Sequence, residues 1–141
     1  MKIAENFNKK RIAVVAHDHN RIELIDWAYG NKQVLIHHEV IASETIGSLL
    51  EGVLNIPVSK LLVARLRSHQ QLTTMLTEAR LDIIVFLSNP LEPGVFANDD
   101  KALLDLALAS KIIIAVNRPT ADFILGSLLI EKTELDLVPA R

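Results

Sequence analysis

The sequence predicts an α/β fold, a single doubly wound domain over residues 1–141 built on a five-stranded, mainly parallel sheet. Three observations carry this expectation. Short β-branched runs alternate with amphipathic segments along the chain, the pattern of strands and helices in a parallel sheet. Two of these runs, Ile83–Leu87 and Ile112–Val116, are apolar at every position, as strands covered by helices on both faces must be. Half of the 141 residues are hydrophobic, enough to bury one sizeable core in a chain too short for two domains of ordinary size.

The elements follow in order. Ile12–Ala16 reads as the first strand, and its apolar run stops abruptly at His17-Asp18-His19. Asp18–Tyr29 has helical spacing, with Asp18 near its amino-terminal cap. Part of Val34–Ala42 reads as the second strand, and alternation along it sends His37 and His38 to opposite faces. Thr45–Leu54 is the next helix, Lys60–Ala64 the third strand and Ser68–Arg80 the third helix, with Thr45 and Ser68 near the caps. The fourth strand, Ile83–Leu87, leads into the Pro/Gly loop Asn89–Gly94. Asp99–Ser110, Ile112–Val116 and Thr120–Leu128 complete the pattern, with Asn98 or Asp99 and then Thr120 as caps. The two wholly apolar strands are expected in the sheet interior. In such a sheet the carboxyl ends of the strands gather loops beside helix amino termini, so a pocket is expected where His17-Asp18-His19 and Asn89–Gly94 meet.

Charge and composition narrow the function. A net charge of −2, a pI near 6.2 and six aromatic residues give neither the basic field nor the stacking surface of a nucleic-acid binder, so no nucleic-acid partner is expected. The absence of cysteine removes disulfides, thiolate chemistry and cysteine-ligated metals, and fits a reducing compartment. Met1–Asn8 is too polar for a secretory signal, and no apolar stretch approaches the roughly 18 residues that a membrane span needs. The expected location is the cytoplasm, with no membrane partner. His17 and His19 lie one strand step apart with no Cys, Glu or third His placed beside them, so neither a metal nor another cofactor is expected.

Four segments carry a family resemblance: Lys10–His19, Ile83–Phe86 with Asn89-Pro90-Leu91, Asp99–Leu104, and Asn117–Phe123. Their order and spacing, above all AHDH at 16–19 with TADF at 120–123, resemble the methylglyoxal synthase family from about Lys10 to Leu128. The resemblance implies a doubly wound α/β fold, a homo-oligomer that is typically a hexamer, and elimination of phosphate from dihydroxyacetone phosphate to give methylglyoxal. It retains His17, Asp18, Arg21, Ser43, Thr45, Gly47, Asp99, Asn117, Thr120 and Asp122. Asp18, Asp99, Thr120 and Asp122 fall in the first turns of predicted helices, where capping alone accounts for an anion or a hydroxyl.

The departures fall on the chemistry. Such an elimination needs a carboxylate base, a donor to the enediolate and a cradle for the leaving phosphate. The family's Gly-Gly-Asp-Gln-Gln segment is matched by Arg67-Ser68-His69-Gln70-Gln71, so His69 stands where the catalytic aspartate is expected. A second family aspartate is matched by Asn89, a histidine by Phe96, and the Ser-Gly pair of the phosphate cradle by Val63 and Ala64. The Thr-Gly-Thr-Thr-Gly loop reads Ser43-Glu44-Thr45-Ile46-Gly47, the helix-opening lysine is Arg21, and a phosphate-contacting arginine beyond the last strand has no match before Arg141. Arg65, Arg67 and His69 bring positive charge to this region, with Arg21 and Arg118 expected to face it from other loops.

The resulting expectation is a protein of this family that binds a phosphate-containing or other anionic metabolite, such as a sugar phosphate, with the synthase reaction lost or strongly reduced. Its role is then regulatory or binding. The catalytic candidates are His17, His69 and Asp99, and the ligand-binding candidates are Arg21, Ser43, Thr45, Gly47, Arg65, Arg67 and Asn89. The alternative is an active methylglyoxal synthase or related carbon–oxygen lyase in which His69 replaces the base, since imidazole titrates near neutrality. A third reading is a subunit that co-assembles with a complete synthase.

Overall fold

The computed structural model describes residues 9–61, 65–87 and 97–137, and within these the side chains of 65–68, 97–99 and 132–137 are left out of the description. The strands are β1 (Arg11–Val15), β2 (Glu39–Ser43), β3 (Ser59–Leu61), β4 (Ile83–Phe86) and β5 (Ile113–Ala115). The helices are α1 (Arg21–Gly30), α2 (Lys32–Leu35), α3 (Glu44–Leu54), α4 (Arg65–Thr77), α5 (Ala97–Ala109) and α6 (Arg118–Leu137), with a short 3-10 turn at Asp18–Asn20. The strands form one sheet in the order β3-β2-β1-β4-β5, and every pair is parallel.

Side-chain alternation along β1 explains the two layers. Ile12 and Val14 face one side, where they join Leu24 and Trp27 of α1, Leu50 and Leu54 of α3, and Leu125 of α6. Ala13 and Val15 face the other, with Leu72 and Leu76 of α4 and Leu103 and Ala107 of α5. Both faces of the middle strands are therefore dry, which is why they read as unbroken apolar runs. Truncating a fully buried member such as Leu50 to Ala would cost about 2–5 kcal/mol through lost transfer energy and the cavity left behind. Among the described residues, no helix is long and apolar enough to cross a membrane.

The structure corrects two expectations about elements. β4 is interior and completely buried, but β5, inside Ile112–Val116, is an edge strand. Ile113 there is 45% exposed, so an all-apolar run did not signal two covered faces at this position. The Val34–Ala42 segment becomes a strand at Glu39, after the helical turn α2. Asn31 O accepts hydrogen bonds from both Val34 and Leu35 N–H, so these residues curl into the core from a helix and mimic a strand by composition alone. His37 and His38 then lie in the turn before β2, with His37 exposed and His38 buried.

The caps also sit earlier than expected. Extended Ser43 closes β2 and caps α3, two residues ahead of Thr45. Asn117 Oδ1 accepts the Thr120 N–H at 2.9 Å at the start of α6, so the side chain that caps this helix is Asn117 rather than Thr120. Helix α4 begins at Arg65, ahead of Ser68.

Candidate functional site

Because β1 pairs with β2 on one side and β4 on the other, the strand order reverses at β1, and the helices that follow β1 and β4 pack on opposite faces. The carboxyl ends of β1 and β4 are therefore the switch point, the place where open parallel sheets bind ligands. The Leu87 N–H donates to Val15 O at 3.0 Å and holds the two strand ends together there. His17 follows two residues later and is buried. A capping box pairs it with Asn20, whose Oδ1 accepts the His17 backbone N–H at 3.3 Å. The ring of His19 lies nearly parallel to that of His17, with centroids 6.0 Å apart.

Two helices complete the cluster. Asp100, in the first turn of α5, places Oδ2 at 2.7 Å from His17 Nε2 and Oδ1 at 2.7 Å from His69 Nε2. His69 comes from the second turn of α4. The Asp100 side chain is 3% exposed, and both imidazoles are nearly as deeply buried. Burial pushes the Asp100 carboxyl upward, but hydrogen bonds and charge interactions with His17 and His69 outweigh it and bring it down from 3.8 to about 2. Asp100 is therefore an anion throughout the neutral range.

The sequence reading singled out His17 and His69, and the structure brings them together through a residue it did not select. A signal for Asp100 exists: Asp100, Leu103, Leu104 and Ala107 follow i, i+3, i+4, i+7 spacing, and all four are buried. His69, Leu72 and Leu76 form the matching stripe on α4. An acid and a base, each on the apolar stripe of its own helix, belong to one interior contact. The neighbouring Asp99 lies in α5, and its side chain is outside the described set, as are those of Arg65 and Arg67 in α4. Asn89, Phe96, Val63 and Ala64 lie outside the described residues.

The other candidates flank the switch point or serve the scaffold. Arg21 is the exposed first residue of α1, and Ser43 and exposed Thr45 open α3. Gly47 is buried beneath Lys60, and a Cβ there would come within 2.9 Å of Lys60 Cγ. Its lack of a side chain lets the Lys60 stem cross α3 and pair with Glu51 at 2.5 Å. Arg118, expected to face the anion region, makes ion pairs with two carboxylates. Its guanidinium is engaged by Asp26 of α1 at 2.7 Å and lies 3.8 Å from Asp122, while Asn31 Nδ2 donates to Asp122 Oδ1 at 3.0 Å. Arg118 and the Asp122 of the TADF segment thus fasten α6 to α1 and the turn after it. Among the described residues, no group of three or more His, Asp or Glu is arranged to hold a metal ion.

Fold and cluster together define a parallel α/β protein with a buried imidazole–carboxylate–imidazole cluster at the switch point of its sheet. Comparison with known proteins places that class in a family. Methylglyoxal synthase of Pectobacterium atrosepticum is 37% identical over 131 residues, covering 93% of this chain and 86% of that protein. The enzyme of the same name from Proteus mirabilis is 35% identical over 131 residues, with the same coverage. The crystal structure of methylglyoxal synthase from Elizabethkingia anophelis aligns with a TM-score of 0.72 at 33% identity, over 84% of this chain and 78% of that one. No family model matches the chain. The chain belongs to the methylglyoxal synthase family.

Proposed function

We propose that this protein binds a phosphate-containing or other small anionic metabolite at the switch point of the sheet, and that elimination of phosphate from dihydroxyacetone phosphate is lost or strongly reduced. The observation that carries the reading is His69. At the position matched to the family's carboxylate base stands an imidazole whose Nε2 is engaged by Asp100. Asp100 itself is a poor replacement base, since both its oxygens accept from imidazoles and its carboxyl is held at about 2, far from the pH at which it would have to take a carbon-bound proton. Anion binding is supported by Arg21 and by the amino end of α3, where N–H groups and the helix dipole favour negative charge. The role is regulatory or binding, in one domain, in the cytoplasm, with self-association into a hexamer as the family resemblance implies or co-assembly with a complete synthase. Exposed Ile22, Tyr29 and Phe123 supply apolar surface for association.

The test is phosphate release from dihydroxyacetone phosphate together with calorimetry against phosphate and sugar phosphates at low salt. Turnover is expected to fall at least about a thousandfold below that of a family member with an intact Gly-Gly-Asp-Gln-Gln segment, since a positioned base alone contributes ~10²–10⁴. Arg21→Ala should weaken anion binding more than Arg80→Ala, because Arg80 pairs with Glu78 at the surface after α4. Equal effects on every anion that binds would reject the site.

A second reading is favoured by the same hydrogen bond. A carboxylate that orients an imidazole is the arrangement of a general base, so His69 backed by Asp100 is the candidate base of an active synthase or related carbon–oxygen lyase. Robust turnover by the unaltered protein, abolished by His69→Ala, would establish this reading in place of the first.

A further inference from the structure

We infer that Asp100 is the positioning residue of the site, joining His17 and His69 into one unit in which each imidazole carries a hydrogen on Nε2. The inference goes beyond the functional reading above, because it holds whether or not turnover survives.

Asp100 is an ionised carboxylate at neutral pH. It only accepts hydrogen bonds, so a ring nitrogen 2.7 Å from one of its oxygens must bear the hydrogen. Asp100 uses one oxygen for each ring, and its side chain is 3% exposed, so water does not compete freely for either contact. Both tautomers therefore follow from one residue. The two rings come from different elements, the β1 carboxyl end and α4, while the carboxylate comes from α5. Three segments far apart in sequence are thereby set relative to each other at the switch point, and Nδ1 is the second nitrogen of both rings. The arrangement also makes the substitution at 69 a paired one. An aspartate at 69 would put a second carboxylate against Asp100 in a buried place, where two like charges cannot both remain ionised without cost. His69 is thus tied to the acid at 100, and returning 69 alone to aspartate breaks the unit.

Long-range proton–nitrogen correlation spectra of the full chain labelled with 15N at its five histidines read this directly. Single His→Gln substitutions assign the signals. The unaltered protein should show the Nε2–H pattern at both His17 and His69. In Asp100→Asn one acceptor oxygen and one amide donor replace two acceptor oxygens, so at least one of the two histidines must abandon that pattern. A structural role of Asp100 confined to packing would leave both patterns in place. An Nδ1–H pattern at either ring in the unaltered protein, or no change at either in a folded Asp100→Asn variant, overturns the inference. Should Asp100→Asn not fold, thermal melting of His69→Asp against His69→Asp/Asp100→Asn decides. The single variant should melt about 5 °C or more below the unaltered protein at pH 7. The double variant should recover at least half of that loss, and no recovery overturns the inference.

Discussion

His38 and the pair His17 and His69 are buried to a similar degree, yet the protein treats them in opposite ways. His38 sits in the turn before β2, where its Nδ1 accepts the Lys10 N–H at 2.9 Å. Burial, followed by the charges of His37, Lys10 and Lys9, lowers its pKa from 6.5 to about 4, so it is neutral and serves as an acceptor. His17 and His69 face a buried carboxylate and act toward it as donors. One region uses imidazole as a small polar plug for the backbone. The other uses two imidazoles to keep an acid inside the protein. The difference teaches that a buried histidine takes its chemistry from its partner, and that burial alone does not mark a site.

Removing the carboxylate tests the contrast most severely. Asp100→Ala should destabilise the protein by about 2–6 kcal/mol in urea titrations, since two buried N–H groups lose their acceptor at about 1–3 kcal/mol each. His38→Asn, which keeps an acceptor near the position of Nδ1, should change neutral stability much less. A comparable loss at the two sites would remove the distinction between them.

Acid separates the two regions by pH window. His38 binds protons more readily in the unfolded chain, so its contribution is intact above about 6.5 and is lost as pH falls toward 4, by up to about 3 kcal/mol. His38→Asn should flatten the stability profile between these limits. Asp100 has a folded pKa below its unfolded value, so its contribution is present above 3.8 and disappears as pH falls through about 2, a change of about 2 kcal/mol. Asp100→Asn should therefore flatten the profile below pH 4. Chemical denaturation at half-unit pH steps resolves the two windows, and one shared window for both variants would contradict the assignment.

The smallest effect is expected where the sequence motif is best kept. Arg118→Ala removes the contacts to Asp26 and Asp122, but these groups are largely solvated, so the loss should stay within about 1 kcal/mol. It should leave anion affinity unchanged by calorimetry, because the guanidinium serves the seam between α1 and α6. A selective loss of anion binding would return Arg118 to the pocket.

Much of this was legible in the residues. Periodicity located β1, β4 and the starts of α1, α3, α4, α5 and α6 within a few positions, because dry strands and amphipathic helices leave different spacings in the chain, while α6 runs on to Leu137, nine residues past the expected Leu128. It failed at β5, and it did not separate the helical turn α2 from the strand that follows it. Composition reports that a residue is apolar, while neighbours decide whether it is covered, and among the described residues β5 has a strand on one side alone. Motif spelling likewise preserved Asp122, but its partners Arg118 and Asn31 show it fastening helices.

The sequence by itself determined the alternation of strands and helices, the apolar stripes of α4 and α5, and the presence of an imidazole at 69, where the family resemblance implies a carboxylate. Tertiary structure decided which acid meets that imidazole. Position 100 is 31 residues from His69 and 83 from His17 in the chain, so no local spacing relates them. They meet because parallel strand order brings the ends of β1 and β4 side by side and packs α4 beside α5 on one face. There a buried charge is tolerated only with its hydrogen-bond partners in place.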